Sequence, residues 1–136
     1  MNKSFFRLSA ALVALTLTAI ACGFSVTTAN ISDAYMAKDK DGNERTTAFN
    51  GGDTFYAIVV VSNAPDDTVV KAVWIAVNAE GEDPNLTIEE TSYTTGDAQL
   101  YFSLTNQEGL LWPNGQYRVD LYINDKLEKS LEFQVQ

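Results

Sequence analysis

The stretch Gly115-Gln116-Tyr117-Arg118-Val119-Asp120-Leu121-Tyr122-Ile123-Asn124 decides the fold. Tyr117, Val119, Leu121 and Ile123 alternate with Arg118, Asp120, Tyr122 and Asn124. Successive side chains of a strand point to opposite faces, so this period of two predicts a strand with one dry face and one wet face. A tight turn at Asn124-Asp125-Lys126 leads into a second strand over 127–135. Working back toward the N-terminus, strands are expected at 98–105, 86–93, 69–78, 54–63 and 31–38, with 116–124 the sixth and 127–135 the seventh. Turn signals separate them: Asp39-Lys40-Asp41-Gly42-Asn43, Asn50-Gly51-Gly52-Asp53, Ala64-Pro65-Asp66-Asp67, Glu80-Gly81-Glu82-Asp83-Pro84-Asn85 and Thr95-Gly96-Asp97. No helical period is sustained. Seven short strands with turns between them predict an all-β, two-sheet antiparallel sandwich.

Two residues narrow that class. Trp74 lies midway along 69–78 with Val70, Ala72 and Ala76 on its face, and Tyr117 stands at the start of 116–124. The run Trp112-Pro113-Asn114-Gly115-Gln116-Tyr117-Arg118-Val119 resembles the end of many bacterial immunoglobulin-like modules. The resemblance implies a seven-stranded antiparallel immunoglobulin-like sandwich with Trp74 in its core. It also implies that Tyr117 forms a tyrosine corner, its hydroxyl bonding back to the preceding loop. Val119 stands where antibody domains have their second cysteine, and 54–63 holds no cysteine. That departure fits bacterial immunoglobulin-like or fibronectin-III-like modules. Such folds host many functions, so the resemblance implies an architecture and not an activity.

The N-terminus carries an address. Lys3 and Arg7 precede the apolar run 8–21, which ends in Ala19-Ile20-Ala21-Cys22. A basic start, a short apolar region and small residues at the cut define a secretory signal. About 14 residues is shorter than the roughly 20 a spanning helix needs. The sequence resembles a bacterial lipoprotein precursor. That family attaches a diacylglycerol to the cysteine sulfur, cuts before it, and often adds an N-acyl chain such as palmitate. The resemblance implies lipidation at Cys22 and placement at the cell membrane or outer membrane, facing out of the cytoplasm. An ordinary signal peptide cut near Ala21 is the alternative. The expected organisation is a signal over 1–21, the lipidated cysteine and a short linker over 22–30, and one domain over 31–136. Eight extended linker residues reach at most about 28 Å, so the domain would sit close to its membrane. Two or more acyl chains hold a protein stably where one does not. Cys22 is the only cysteine, so no intrachain disulfide is expected.

Charge restricts the partners. The chain has nine Lys+Arg and eighteen Asp+Glu. Loss of Lys3 and Arg7 with the signal leaves seven basic against eighteen acidic side chains, a net charge of −11. That surface repels phosphate backbones and anionic headgroups, so no nucleic acid is expected and the lipid alone must hold the protein at the membrane. There is no histidine, which removes Ser-His-Asp and Cys-His nucleophiles and His-ligated zinc. Adjacent acids such as Glu89-Glu90 fall on opposite faces of a strand and cannot flank one substrate unless the strand is irregular. The expectation is a non-enzyme with no catalytic residue, cofactor or metal. Asp39-Lys40-Asp41-Gly42 has the core of a calcium loop, but an EF-hand register puts Ala37 and Ala48 at the end ligands. A tight turn in which Gly42 supplies the positive φ is preferred.

Two places could carry binding. On 69–78, Val73, Ile75 and Val77 are apolar on the face that should be wet. If this strand neighbours 116–124, those residues join Tyr122, with Arg118 and Asp120 at the rim. That is the anatomy of an interaction surface, unless a loop at 66–69 or 80–85 folds over it. The second place is Trp112, which either stacks on a sugar ring or caps the bottom of the core. The expected function is that of an anchored accessory module binding a protein partner in the cell envelope. The other reading is a carbohydrate- or envelope-polymer-binding module using Trp112, Tyr122 and the acidic loops. Oligomeric state is not legible in the sequence.

Overall fold

A computed structural model describes residues 27–136. The expected signal over 1–21, Cys22 and the first half of the expected linker, 23–26, lie outside the described residues. Eight strands follow in order: β1 (Asn30–Ala37), β2 (Ala48–Phe49), β3 (Phe55–Ser62), β4 (Thr68–Ala79), β5 (Leu86–Thr95), β6 (Ala98–Leu104), β7 (Gly115–Ile123) and β8 (Lys126–Val135). All seven expected strands are present, their ends within two residues of expectation. The arrangement corrects the expected seven-stranded antiparallel sandwich in two ways. The sheets have three strands, β1-β3-β6, and five, β2-β8-β7-β4-β5. The added strand β2 is two residues long and runs parallel to β8.

Alternation sorts the residues between core and surface. Val70, Ala72, Trp74 and Ala76 of β4 lie beside Ile123, Leu121, Val119 and Tyr117 of β7 on the inner face of one sheet, opposite the inner residues of β3, and all are buried. Phe133 is the hub of the packing. Its ring lies 5.5 Å from Phe49, 5.0 Å from Phe55, 6.0 Å from Trp74 and 5.6 Å from Tyr117. Offset and edge-on aromatic pairs at these separations add to simple area burial.

The Tyr117 hydroxyl donates to the Pro113 carbonyl at 2.6 Å, so the tyrosine corner is formed. Gly115, two residues earlier, has φ +152°. A Cβ there would press on the Asn78 carbonyl oxygen and lie 2.6 Å from Ala79 Cα. Only glycine allows β7 to start this close to the end of β4. The β7–β8 hairpin turns on Asn124 and Asp125, both at positive φ, as a two-residue primed turn requires.

The sandwich has two distinct ends. Asn30, Ser62, Thr68, Thr95 and Ile123 lie at the end where the chain enters. The connections 38–47, 50–54, 80–85 and 105–114 gather at the opposite end, as the strand directions require. One of them explains the apolar outward residues of β3. Around Gly42 (φ +75°) the loop packs on Tyr35 and Ile58, which is fully buried outside the main core cluster. Arg45 lies 3.5 Å from the centre of the Tyr35 ring on the same side.

Candidate functional site

The sheet face expected to carry binding exists as a contiguous surface. β4 and β7 are neighbours, with Lys71 opposite Tyr122, Val73 opposite Asp120 and Ile75 opposite Arg118. The face is less open than an apolar patch. Ile75 is 9% exposed, and Val73, Val77, Tyr122 and Arg118 are half-buried. On the same sheet Arg118, paired with Ile75, donates from Nε to Oδ1 of Asp120, paired with Val73, at 2.9 Å. Ser130 Oγ donates to the same oxygen at 2.7 Å. Asp120, expected to face solvent, is therefore buried, and its carboxylate is satisfied by two donors.

A second cluster occupies the other end of this face. Lys71 Nζ lies 3.4 Å from both Glu90 Oε1 and Asp125 Oδ1 and sits 4.7 Å from the Tyr122 ring centre. Burial pulls the lysine pKa down, but hydrogen bonds to Glu90 and Asp125 outweigh it and the net shift is upward. This lysine is a fixed cation, and Tyr122 lies beneath it.

Trp112 sits at the far end of the molecule, half-buried, its ring 5.5 Å from Phe55. Its backbone N–H donates to the Gly51 carbonyl at 2.8 Å, tying the β6–β7 loop to the β2–β3 loop. The indole thus packs on the base of the core. It also borders a cavity of about 280 Å³ with Leu86, Ile88, Pro113, Tyr117 and Glu82. The Trp112 indole nitrogen is buried with no hydrogen-bond partner among the described residues. Burial, together with the Glu82 charge, pushes the Tyr117 pKa up to about 12, so the corner hydroxyl stays protonated at any physiological pH. Trp112 lies in the loop before β7 and Tyr122 near the far end of that strand, so the structure does not bring them into one ligand site.

Among the described residues the most exposed apolar side chains lie elsewhere. Leu110 is 56% and Leu111 73% exposed, next to Trp112 in the β6–β7 loop. The loop is built to present them. Gly109 (φ +81°) turns the chain, Leu110 N–H donates to the Gln107 carbonyl at 3.0 Å, and Leu111 rests its Cβ against Gly51. A cavity of about 330 Å³ opens beside them between residues 51–53 and 105–111. Two consecutive leucines in a loop, outside any strand alternation, were the available sequence signal for this site.

The acidic turn is occupied by the protein itself. Asp39 accepts from the backbone N–H groups of Glu44 at 2.8 Å and Asn43 at 3.0 Å, which hold its carboxyl below the usual range. Among the described residues no group of three or more Asp, Glu, His or Cys is placed to hold a metal ion. Among them, too, no helix is long and apolar enough to cross a membrane.

No protein-family model and no curated protein sequence matches this chain. Solved structures do. An immunoglobulin-like protein from Pseudomonas aeruginosa superposes with a TM-score of 0.56 at 13% identity, over 83% of this chain and 100% of that one. The chain has an immunoglobulin-like fold. The same immunoglobulin-like architecture matches part of the Pseudomonas fluorescens alkylpurine DNA glycosylase AlkC, bound to DNA containing an abasic site analogue, with a TM-score of 0.54 at 14% identity. That match spans 81% of this chain but only 31% of the glycosylase. A Listeria innocua β-glucosidase matches with a TM-score of 0.51 at 15% identity, over 83% of this chain and 17% of that enzyme. At such identities the likeness is one of fold alone.

Proposed function

We propose that this protein is a non-catalytic, lipid-anchored module of the cell envelope that binds a protein partner through the end of the sandwich opposite the chain entry. The observation that carries the reading is the pair Leu110 and Leu111, exposed on a loop that backbone hydrogen bonds and close glycine packing hold in place. Preorganised apolar side chains lose little entropy on binding and remove water-exposed area when covered. Asp53 at this end already pairs with Lys38 at 3.6 Å, and Glu80, Glu82, Asp83 and Glu108 belong to its other loops, so the fitting partner offers an apolar pocket rimmed by basic side chains. The stripe Val73, Ile75 and Val77 is a lesser contact, because Ile75 is buried and Val73 and Val77 are half-buried. The anchor rests on Ala19-Ile20-Ala21-Cys22 and the acyl chains it implies.

The test is site-specific photo-cross-linking of the full chain in living cells, with the reactive residue at 111, 73 or 94. The reading expects one discrete protein adduct from position 111, absent from position 94 and abolished by Leu110→Ser. Equal labelling from all three positions, or none from 111, would refute it. The cavity beside Trp112, with its unpaired indole nitrogen, favours a second reading in which an envelope polysaccharide is bound. Retention of the protein on purified cell-wall polymer, lost in Trp112→Ala and unaffected by Leu111→Ser, would select that reading.

A further inference from the structure

The loop that carries Leu110 and Leu111 continues into Trp112 and Pro113, which line the cavity of about 280 Å³ beside the start of β5. Leu86 and Ile88 of β5 and the Tyr117 ring line it too. Trp112 is held in place by Phe55, 5.5 Å away, and by its N–H bond to the Gly51 carbonyl. The lining carries one charged side chain, Glu82, and no basic one. Glu82 makes no ion pair among the described residues. Its charge nevertheless reaches into the cavity, since it opposes ionisation of the Tyr117 hydroxyl. The loop presenting it is pinned by three backbone bonds. Glu80 N–H donates to the Asn114 carbonyl at 3.0 Å, Glu82 N–H to Ala79 at 3.2 Å and Asn85 N–H to Val77 at 3.0 Å.

We infer that this cavity receives a lysine side chain of the protein partner that covers Leu110 and Leu111, with Glu82 as its counter-charge. The inference rests on the reading of this end as the partner-binding surface. Each part of a lysine finds its match. The apolar walls take the four-carbon stem, and the Trp112 and Tyr117 rings favour a cation close to them. The ammonium carries three donors, which the Glu82 carboxylate, the Thr87 hydroxyl oxygen and water at the mouth can accept. A guanidinium brings five donors in a fixed fork, for which the lining has too few acceptors.

Charge selects the occupant. The chain has eighteen acidic against nine basic side chains, so its field draws a cationic group toward this end and turns an anionic one away. Position joins the two contacts, because Trp112 directly follows Leu111. A partner seated on the leucines therefore brings its own surface to the mouth of the cavity. Glu82 is exposed, so the ion pair is screened and its loss weakens binding only about threefold to fivefold.

Carbodiimide coupling in membranes from cells expressing the full chain tests this. The reagent activates a carboxylate, and an amine in contact with it displaces the activating group as a urea and forms an amide. Mass spectrometry of the linked peptides should find Glu82 joined to a lysine of the protein that cross-links from position 111. That product should vanish in Glu82→Gln and persist in Glu80→Gln, which changes an acid outside the cavity lining. A partner cross-linked from position 111 but never joined to Glu82 overturns the lysine and leaves the partner reading intact. A second measurement needs no partner. In the purified full chain in detergent, n-butylammonium should shift the indole N–H resonance of Trp112 and leave that of Trp74, with an affinity about threefold to fivefold weaker in Glu82→Gln. Binding of butan-1-ol should not respond to that substitution. An unmoved Trp112 resonance, or equal butylammonium affinity in Glu82→Gln, contradicts the inference whether or not the partner reading holds.

Discussion

Tyr117→Phe removes one oxygen from the middle of the architecture and leaves everything else in place. The ring is 2% exposed and packed between Phe55 and Phe133, contacts that phenylalanine keeps. What is lost is the 2.6 Å hydrogen bond that ties the start of β7 to Pro113. A neutral hydrogen bond contributes about 0.5–1.5 kcal/mol net. Pro113 is half-buried, so its carbonyl can recover a water, which puts the expected cost near 1 kcal/mol. For a domain of this size that lowers the melting midpoint by about 3–6 °C.

The assay is urea unfolding followed by tryptophan fluorescence, with Tyr122→Phe as the control. Tyr122 has no hydroxyl hydrogen bond among the described residues, so its change should stay within about 0.5 kcal/mol. There is also an alkaline signature. Tyr117 ionises near 10 when unfolded and only at about 12 when folded. A raised folded pKa gives stability that is whole below the unfolded value and lost as pH climbs from 10 toward 12. Tyr117→Phe should flatten that loss. A variant as stable as the native protein, or one that keeps the full alkaline decline, would refute the corner's role.

Gly115→Ala should cost about 2–4 kcal/mol, because the added methyl meets backbone of β4 that cannot retreat and the φ is one alanine avoids; chemical denaturation measures it. Arg118→Ala should cost roughly 2 kcal/mol by leaving the buried Asp120 carboxylate with Ser130 alone. A double-mutant cycle with Asp120→Ala should return most of that cost as coupling. The Asp39 carboxyl is held below 3.8, so its contribution is present above that value and lost as pH falls through the folded pKa. Hydrogen exchange at the amides of Asn43 and Glu44 should lose protection on the acid side of 3.8, and Asp39→Asn should remove that pH dependence.

The strands were legible because burial on one face writes a period of two, and β7 carries it most cleanly. Tyr117 and Trp74 were legible because their roles depend on position within a strand. β2 was not, since two residues hold no period and its pairing with β8 is set by where the chain passes. The fate of the apolar outward residues was hidden for a different reason. Ile58 is covered by the loop around Gly42, and Ile75 is buried beside Arg118, which is tied to Asp120. Such cover depends on register between distant segments. Trp112 precedes β7 and Tyr122 lies near its far end, a separation that only the course of the whole strand reveals. Leu110 and Leu111 were passed over as connection, although adjacent leucines outside any strand are themselves a signal.

What Cys22 carries in the cell decides whether the protein is lipid-anchored. Intact mass measurement of the protein extracted from bacterial membranes should show a chain beginning at Cys22, heavier by a diacylglycerol on sulfur, and released to the soluble fraction in Cys22→Ala. A free sulfhydryl at residue 22, on a chain still holding residues 1–21, would contradict it.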